Sequence, residues 1–204
     1  MVILIVISNA GIGGAQRVAM NLAAWMNRQE NVRAEIVALN HASGETYDIP
    51  NLIQLSGKKI PFQLRKIINR LKADAVISMG VPMSIYTVPA CIGTKTKHII
   101  SERNDPRHFA GKRSVKTISR AFMRLADGFV FQTEDAKKYY HIKADRKSTV
   151  IHNPLANAEL IPFKSSSEKR EIVTVGRLVP QKNHALLLEA FNTIHEAHPE
   201  YVLT

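Results

Sequence analysis

The stretch "MVILIVISNAGIGGAQRVAMNLA" at residues 1–23 predicts a strand, a glycine-rich turn and a helix, in that order. Its first apolar run is typical of a strand that is buried on both faces. The apolar residues after the turn recur at the spacing of one helical face. Within the turn, Gly13 and Gly14 let backbone N–H groups approach an anion, which the helix dipole favours. A tight turn without a ligand is the alternative. A dinucleotide site is not expected, because Gln16 occupies the third glycine position of the pattern G-x-G-x-x-G.

The alternation of strand and helix continues from this unit to about Asn153. Apolar runs predict further strands at 33–39, 51–56, 73–80, 97–102, 128–133 and 148–153. Helical spacing predicts helices at 61–71, 84–93, 111–126 and 133–142. Pro61 suits a first helical turn, and Thr133 suits an N-cap. This alternation predicts an α/β fold with a Rossmann-like, doubly wound parallel sheet.

A different composition follows Asn153. The segment 154–170 holds prolines and the serine cluster "SSSEKR", which is typical of a linker. A new strand at 170–176, a new helix at 183–198 and a short strand at 200–204 come after it. The predicted domains are an N-terminal Rossmann-like domain at 1–153, an interdomain linker at 154–170 and the incomplete start of a second Rossmann-like domain at 171–204.

The net charge of the chain indicates an anionic partner. Its 204 residues include 28 Lys and Arg against 17 Asp and Glu, which gives a formal charge of +11. Nucleic acid, an anionic membrane surface and phosphate-bearing substrates all fit such a charge. The single cysteine, Cys91, excludes an internal disulfide, and no apolar run reaches the ~20 residues of a membrane-spanning helix. We expect a cytoplasmic protein, either soluble or peripheral on the inner face of the plasma membrane.

Two predicted helices carry much of this charge without any acidic residue. One lies around residues 58–72 and the other around 107–124. An apolar stripe runs along the second helix and is expected to pack on the core. It consists of Val115, Ile118, Phe122 and Leu125. The opposite face would present cations to an anionic membrane or simply to solvent. The membrane-facing candidates are Arg113, Lys116, Arg120, Arg124, Arg65 and Lys66.

Polar residues at the end of the fifth predicted strand form another candidate site. Glu102, Arg103 and Asn104 follow this strand at the carboxyl edge of the sheet, where ligands bind in doubly wound folds. A structural role, such as capping the next helix, is the alternative. The 8 histidines show no metal-ligand spacing, so we expect neither a metal nor a cofactor.

Four motifs together resemble one enzyme family. They are "GGAQRVAMNLA" from residue 13, "FQTEDAKKYY" from residue 131, "VIHNPL" from residue 150 and "VGRLVPQKNHALLLEAF" from residue 175. With them the chain resembles GT4-type (group 1) glycosyltransferases of the two-domain GT-B fold, and in particular the bacterial enzymes that build surface polysaccharides. The last motif is the most specific of the four.

The resemblance implies a role for each predicted domain. The N-terminal domain would bind a lipid-linked or glycan acceptor, with Glu102, Arg103 and Asn104 as acceptor-side candidates. The C-terminal domain would bind a nucleotide-sugar donor, whose departing diphosphate develops negative charge. Cations close to that charge would stabilise it without a metal. The candidates for contact with the donor diphosphate are Arg177, Lys182, Gly13 and Gly14.

The same resemblance predicts a chain that is truncated at its C-terminus. The family's spaced Glu…Glu pair, which holds the donor, has no counterpart in these residues. We therefore expect a retaining glycosyltransferase by family whose 204 residues alone are inactive. A non-enzymatic Rossmann-like module that binds an anionic membrane or a partner polypeptide is the alternative. Specific nucleic-acid binding is not expected, because the chain has no known motif for it and only 6% aromatic residues.

Overall fold

The computed structural model of the protein describes residues 1–107, 112–142, 147–153, 170–176, 178–179 and 182–204. The chain divides into two compact units, Met1–Pro154 and Leu155–Thr204. Each unit contains a parallel sheet of its own. Most of the predicted linker 154–170 lies outside the described residues, and the predicted domain boundaries remain predictions.

The first unit is a parallel sheet with helices on both faces. Its strands are β1 (Val2–Ile7), β2 (Arg33–Ala38), β3 (Ile53–Gln54), β4 (Ala75–Met79), β5 (Lys97–Ser101), β6 (Gly128–Phe131) and β7 (Lys147–Val150). Its helices are α1 (Gly14–Met26), α2 (Ile60–Leu71), α3 (Ser84–Cys91), α4 (Arg113–Met123) and α5 (Glu134–Tyr140). Neighbouring strands pair in parallel in the order β3-β2-β1-β4-β5-β6-β7. The predicted Rossmann-like, doubly wound fold is confirmed.

The handedness of the connections decides on which face each helix packs. The strand order reverses between β1 and β4, and right-handed crossovers place helices on opposite faces on the two sides of such a switch. α1 leads from β1 to β2 and packs on the face that carries Ile3 and Ile5. α2 and α3 pack on the other face, against Leu4 and Val76. α4 and α5 join them there, because β5, β6 and β7 continue in the same direction.

The opposite face of β5–β7 receives no crossover helix, because the right-handed crossovers between these strands all place their helices on one face. There Ile99 and Val130 are only half-buried. A groove of about 810 Å³ runs along this face and is bordered by Ile99, Val130 and Thr149. The order of the strands therefore leaves an apolar surface that the described crossovers of the sheet do not cover.

The buried face of α4 differs from the predicted apolar stripe. Ile118 and Leu125 are 46% and 60% exposed, whereas Ser119 and Met123 are buried. α4 contacts α3 as well as the sheet, and the Ser84 hydroxyl donates a hydrogen bond to the carbonyl oxygen of Ser119 at 3.1 Å. The small side chain of Ser119 permits this close approach, so it faces inward in place of the stripe. The stripe prediction is wrong for Ile118 and Leu125, whereas Val115 and Phe122 are half-buried.

The helix ends largely follow their local signals. Pro61 lies in the first turn of α2, as predicted. The Thr133 hydroxyl oxygen accepts a hydrogen bond from Ala136 N at 3.1 Å and caps α5, which confirms that prediction as well. α4 ends at Met123, earlier than the predicted 126, because the N–H groups of residues 124–126 bond to carbonyl oxygens three residues earlier.

Within its described residues, the second unit holds a two-stranded parallel sheet and one helix. Its elements are β8 (Glu171–Ile172), α6 (His184–Ala197) and β9 (Val202–Leu203). The predicted strand 170–176 is mostly irregular, because β9 offers only two residues for pairing. No residue of α6 is buried, although the helix carries Leu186, Leu188 and Ile194. A pair of strands alone is marginally stable at best.

A buried histidine lies on β5 in the core of the first unit. His98 is 2% exposed, and its Nε2 atom lies 3.3 Å from Ser78 Oγ. Its Nδ1 atom is buried without a hydrogen bond to any residue that the structure describes. Burial lowers the pKa of His98 to about 4, although the nearby Asp127 carboxylate opposes this shift. The imidazole is therefore uncharged in the folded protein at neutral pH.

We expect this histidine to make the stability of the protein depend on pH. The unfolded chain binds a proton at His98 near pH 6.5, whereas the folded chain does so only near pH 4. The contribution of His98 to the free energy of unfolding should be constant above pH 6.5 and fall by roughly 3 kcal/mol between pH 6.5 and 4. Urea titrations at several pH values should show that His98→Gln lacks this fall.

His41→Gln is the matched control, because His41 is exposed. It should follow the pH dependence of the unchanged protein. Parallel curves for the unchanged protein and His98→Gln would contradict a buried, neutral histidine at this position.

Candidate functional site

The carboxyl ends of parallel strands form the edge at which ligands bind in doubly wound sheets. In the first unit the loops after β1, β4, β5 and β6 leave from this edge. They bring Gly13, Gly80, Glu102 and Gln132 to the same side of the sheet. The backbone of Gly80 has a φ of 117°, which only glycine adopts easily, so the turn after β4 depends on this residue.

The glycine turn after β1 leaves the start of α1 open. Gly13 is the N-cap of α1 in an extended conformation, and its end of the helix has neither a side-chain cap nor an acidic residue in the first turn. A Cβ atom on Gly14 would meet no described atom within 4 Å. The turn itself is held in place, since Tyr47 N donates to Ala10 O at 2.9 Å. The first N–H groups of α1 thus have no side-chain cap, although a Cβ atom on Gly13 would lie only 2.7 Å from Gln16 Oε1. Anion binding at this turn remains a prediction.

Glu102 is a buried carboxylate that accepts four hydrogen bonds. It is 3% exposed. Its Oε1 atom accepts from Arg103 N at 2.8 Å and from Asn104 N at 2.9 Å. Its Oε2 atom accepts from the Tyr140 hydroxyl at 3.0 Å and from Val81 N at 3.2 Å. The carboxylate ties the loop after β5 to α5 and to the turn after β4, so it holds its neighbours in place and is occupied by protein donors.

Tyr140 remains a hydrogen-bond donor to this carboxylate at every relevant pH. Burial, and after it the charge of Glu102, raise the pKa of the Tyr140 hydroxyl well above its usual range. The ring of Tyr140 stacks on that of Phe131 with a centroid distance of 5.8 Å. α5 is therefore attached to the sheet by both its apolar face and a charge-assisted hydrogen bond.

Arg103 connects β5 to the last described residue of the first unit. Its Nη1 atom donates to Asn153 Oδ1 at 2.9 Å, and the Gln132 amide donates to the same oxygen at 3.2 Å. The Nε atom of Arg103 is buried and has no hydrogen-bond partner among the described residues. Burial lowers the pKa of the guanidinium, and the Glu102 carboxylate opposes this shift. Within the described ranges, the Nε donor of Arg103 thus remains without an acceptor.

A pocket opens beside this loop, between β5, β6 and α5. Its volume is about 260 Å³. Polar and apolar groups both line it, among them Asn104, Asp105, Pro106, Arg107, Gln132 and Asp135. Of the three acceptor-side candidates, Glu102 and Asn104 line this pocket, and Arg103 is not among the described residues that line it.

Two of the membrane-facing candidates on α4 pack against aromatic rings. The guanidinium of Arg120 lies 4.7 Å from the ring centroid of Tyr139 and 5.8 Å from that of Tyr140. The Nζ atom of Lys116 lies 5.8 Å from the Tyr139 centroid. Such cation–π contacts contribute about 0.5–1 kcal/mol at exposed sites. These cations therefore help to attach α4 to α5 and do not form a simple solvent-facing row.

The candidates on α2 also have partners within the protein. Arg65 Nη1 donates to the Ile92 carbonyl oxygen at 2.5 Å, just beyond the C-terminal end of α3. Lys66 is exposed, and its Nζ atom lies 4.7 Å above the ring of Phe62, which is itself 57% exposed. Arg65 is therefore structural, whereas Lys66 and Phe62 together form a surface feature.

In the second unit, Lys182 lies in the loop before α6. Its side chain is exposed, and its backbone N–H donates to Val179 O at 2.9 Å. A Cβ atom on Gly176 would lie 3.6 Å from Lys182 Cγ and 3.5 Å from the ring of His184. Lys182 and His184 thus lie close to Gly176. Arg177, the other donor-side candidate of this unit, lies outside the described residues.

Other kinds of site find little support in the described part of the chain. Burial, and after it the charge of Asp127, raise the pKa of the Cys91 thiol to about 12, so this cysteine is a poor nucleophile. Among the residues described, no three metal-binding side chains lie close enough to hold an ion. In the same residues, no helix has both the length and the apolar character needed to cross a membrane. The expected lack of a metal or cofactor remains a prediction.

Comparison with known proteins connects this architecture to an enzyme class. No protein-family profile matches the chain. The chain is 28% identical over 210 residues to a Campylobacter jejuni enzyme named "GalNAc-alpha-(1->4)-GalNAc-alpha-(1->3)-diNAcBac-PP-undecaprenol alpha-1,4-N-acetyl-D-galactosaminyltransferase". This match covers 93% of the chain and 56% of that enzyme. It is also 24% identical over 206 residues to an uncharacterized glycosyltransferase of Haemophilus influenzae, in a match that covers 94% of the chain and 57% of that relative. The chain is a homologue of bacterial glycosyltransferases.

Solved structures show that this glycosyltransferase homologue has the fold of GT-B enzymes. It matches Anabaena HepE in complex with UDP-glucose with a TM-score of 0.71, over 100% of this chain and 59% of HepE, at 14% identity. The chain spans about half the length of the curated relatives it matches. The expected resemblance is confirmed, while the narrower GT4 assignment remains a prediction.

Sequence reasoning missed several residues that complete the ligand edge. Gln132 and Asp135 follow β6 as Glu102 follows β5, and the same rule about carboxyl ends could have identified them. Tyr140 had no such signal, because its hydrogen bond to Glu102 joins residues 38 positions apart.

We expect Glu102→Ala to destabilise the protein by about 3–5 kcal/mol. The change removes the acceptor of three backbone N–H groups and of the Tyr140 hydroxyl, and each buried donor without a partner costs about 1–3 kcal/mol. Urea denaturation measures the loss. Glu134→Ala is the control, because Glu134 is exposed on α5 and should change stability by less than about 1 kcal/mol. Similar losses in the two variants would contradict the role of Glu102.

Proposed function

We propose that the protein acts as a retaining glycosyltransferase that moves a sugar from a nucleotide-sugar donor to a lipid-linked or glycan acceptor in surface polysaccharide synthesis. The observation that carries this proposal is the similarity, across 93% of the chain, to an enzyme whose name specifies an undecaprenol-PP-linked acceptor. The likeness in fold to HepE, which was solved with UDP-glucose, supports a nucleotide-sugar as the donor class.

The first unit provides the acceptor side in this proposal. Glu102 holds the backbone of Arg103 and Asn104 at the carboxyl edge of the sheet before any substrate arrives. A loop that is already ordered loses less conformational entropy when it binds a ligand. Arg103 and Asn104 then contact the acceptor, and Glu102 is a positioning residue.

Charge rather than a metal holds the donor diphosphate in this proposal. In the second unit, Lys182 and Arg177 supply cations for it. Within the first unit, the start of α1 at Gly13 and Gly14 has no side-chain cap and is a separate candidate for contact with an anionic group of a substrate. Cationic side chains and helix N-termini both stabilise the negative charge that a leaving nucleoside diphosphate develops. Neither a metal nor a cofactor is needed for this step.

We expect Lys182→Ala and Arg177→Ala each to lower kcat/KM about ten- to a hundredfold. Each change removes one charge-assisted contact, which contributes about 1.5–3 kcal/mol. Transfer is measured with the polypeptide of the complete reading frame, a panel of nucleotide-sugars and a membrane lipid extract. Arg170→Ala is the control, because it removes the same charge from the same unit, where Arg170 pairs with Glu200 at 3.3 Å.

The 204-residue chain is assayed beside that polypeptide and should give no transfer if the reading frame continues. Robust transfer by these residues alone would contradict the predicted need for a complete second domain. Unchanged rates in both variants would reject the phosphate role. Failure of the complete polypeptide with every nucleotide-sugar would reject the proposed function.

We also propose that the surface of α4 docks on an anionic membrane, where a lipid-linked acceptor would be anchored. Arg113 at the start of α4 is exposed, and so are the aliphatic side chains of Ile118 and Leu125. Exposed apolar side chains beside cations are typical of helices that lie in a membrane interface. Lys66 and Phe62 form a second pair of this kind on α2, on the same face of the sheet.

Co-sedimentation with vesicles tests this docking. Binding should be stronger to anionic than to neutral vesicles and should weaken as salt rises, because each surface cation contributes about 1 kcal/mol and is screened by salt. The double variant Arg113→Gln, Leu125→Ser should bind anionic vesicles about tenfold more weakly. The matched control is Arg28→Gln, Trp25→Ser, which changes an exposed cation and an exposed apolar residue at α1, on the other face of the sheet.

Equal binding to neutral and anionic vesicles would reject the electrostatic contribution. Equal loss of binding in the two double variants would reject α4 as the docking surface. Binding of random-sequence RNA as tight as that of anionic vesicles would indicate a non-specific polyanion surface instead.

A further inference from the structure

The pocket between β5, β6 and α5 has a lining that suits hydroxyl groups. Asn104 and Asp105 border it on the β5 side, and Gln132 and Asp135 border it on the α5 side. The carboxylates can each accept two or more hydrogen bonds, and the amides can both donate and accept. Pro106 adds an apolar surface. A ligand with several O–H groups and a partly apolar ring matches this combination.

The charges of the lining argue against a phosphate or a nucleobase. Among the described lining residues, Asp105, Asp135 and the buried Glu102 bring three carboxylates to the pocket, whereas Arg107 brings one cation. The Asp105 carboxylate already accepts a hydrogen bond from Arg107 N at 2.9 Å. A phosphate group would therefore be repelled more than attracted. Among the described lining residues there is no aromatic ring on which a base could stack. An uncharged ligand without an aromatic ring avoids both difficulties.

The lining is held in position without a ligand. Glu102 accepts a hydrogen bond from Asn104 N at 2.9 Å. The Gln132 amide donates to Asn153 Oδ1 at 3.2 Å, and the Thr133 cap orders the first turn of α5, which carries Asp135. Polar groups that are fixed before binding can select a ligand by the arrangement of its hydroxyl groups.

We propose that this pocket binds an uncharged sugar residue of the acceptor through its hydroxyl groups, with Asp135 as the main hydrogen-bond acceptor. The presence of a glycan at this edge rests on the proposed glycosyltransferase function. The acceptor's diphosphate, where it has one, then lies outside the pocket, away from the carboxylates.

Titration of the ¹⁵N-labelled 204-residue chain by NMR tests the proposal. The probes are the methyl α-glycosides of glucose, galactose and N-acetylgalactosamine, and inorganic pyrophosphate. At least one glycoside should shift backbone amide signals of residues 104–107 and 132–136, and pyrophosphate should not. Asp135→Asn should weaken the glycoside about tenfold or more, because a hydrogen bond to a charged acceptor is lost.

Glu134→Gln is the matched control, since it removes one acid from the same turn of α5 but lies outside the pocket lining. It should leave glycoside binding unchanged. Asp135→Ser replaces Asp135→Asn if circular dichroism shows that the latter fails to fold. The absence of shifts with all three glycosides, shifts of these signals by pyrophosphate, or equal weakening in test and control variants would each overturn the proposal.

Glycoside binding can be measured without any sugar transfer. The proposed sugar pocket and the proposed enzymatic function can therefore be rejected independently of each other. Sugar binding in this pocket with no transfer by the complete polypeptide would support the pocket and reject the enzymatic function. Transfer by the complete polypeptide without any sugar binding in this pocket would support the enzymatic function and reject the role of the pocket.

Discussion

The right-handed connection between parallel strands is the constraint from which the layers of the first unit follow. β1 lies between β2 and β4, so the chain moves across the sheet first in one direction and later in the other. Helices before and after this reversal must pack on opposite faces. Every later helix then shares one face, and the far side of β5–β7 is left with half-buried Ile99 and Val130. The same arrangement brings the carboxyl ends of the strands to one edge, where the candidate site lies.

At that edge, one buried charge organises the surrounding loops. A carboxylate with 3% exposure would be costly alone, and the four donors around Glu102 offset its desolvation. The consequence reaches beyond the site. Tyr140 donates to Glu102, and the guanidinium of Arg120 on α4 lies over the ring of Tyr140. The surface helix α4, the short helix α5 and the ligand edge therefore belong to one packed region, in which polar and apolar contacts support each other.

The elements of the first unit could be predicted because their signals are local. Continuous apolar runs identify buried strands, and Pro61 and Thr133 mark helix starts by their own chemistry. Predictions failed where a residue's role depends on a partner that is distant in sequence. Helical periodicity alone cannot tell that Ser119, rather than Ile118, meets α3, and a run such as 170–176 forms a strand only as far as β9 pairs with it. Positions after β5 were recognised as a site from topology, whereas those after β6 were overlooked although the same rule covers them.

By itself the sequence determined the order and type of the elements in the first unit, the parallel sheet and the resemblance to GT-B glycosyltransferases. These properties follow from short-range patterns that each segment carries within itself. Only the tertiary structure decided that Glu102 is a buried anchor, that Arg65 binds the carbonyl oxygen of Ile92 and that Asp135 shares a pocket with Asp105. Each of these roles is a contact between segments far apart in the chain. It exists because the crossovers bring those segments together, and no property of either segment alone encodes it.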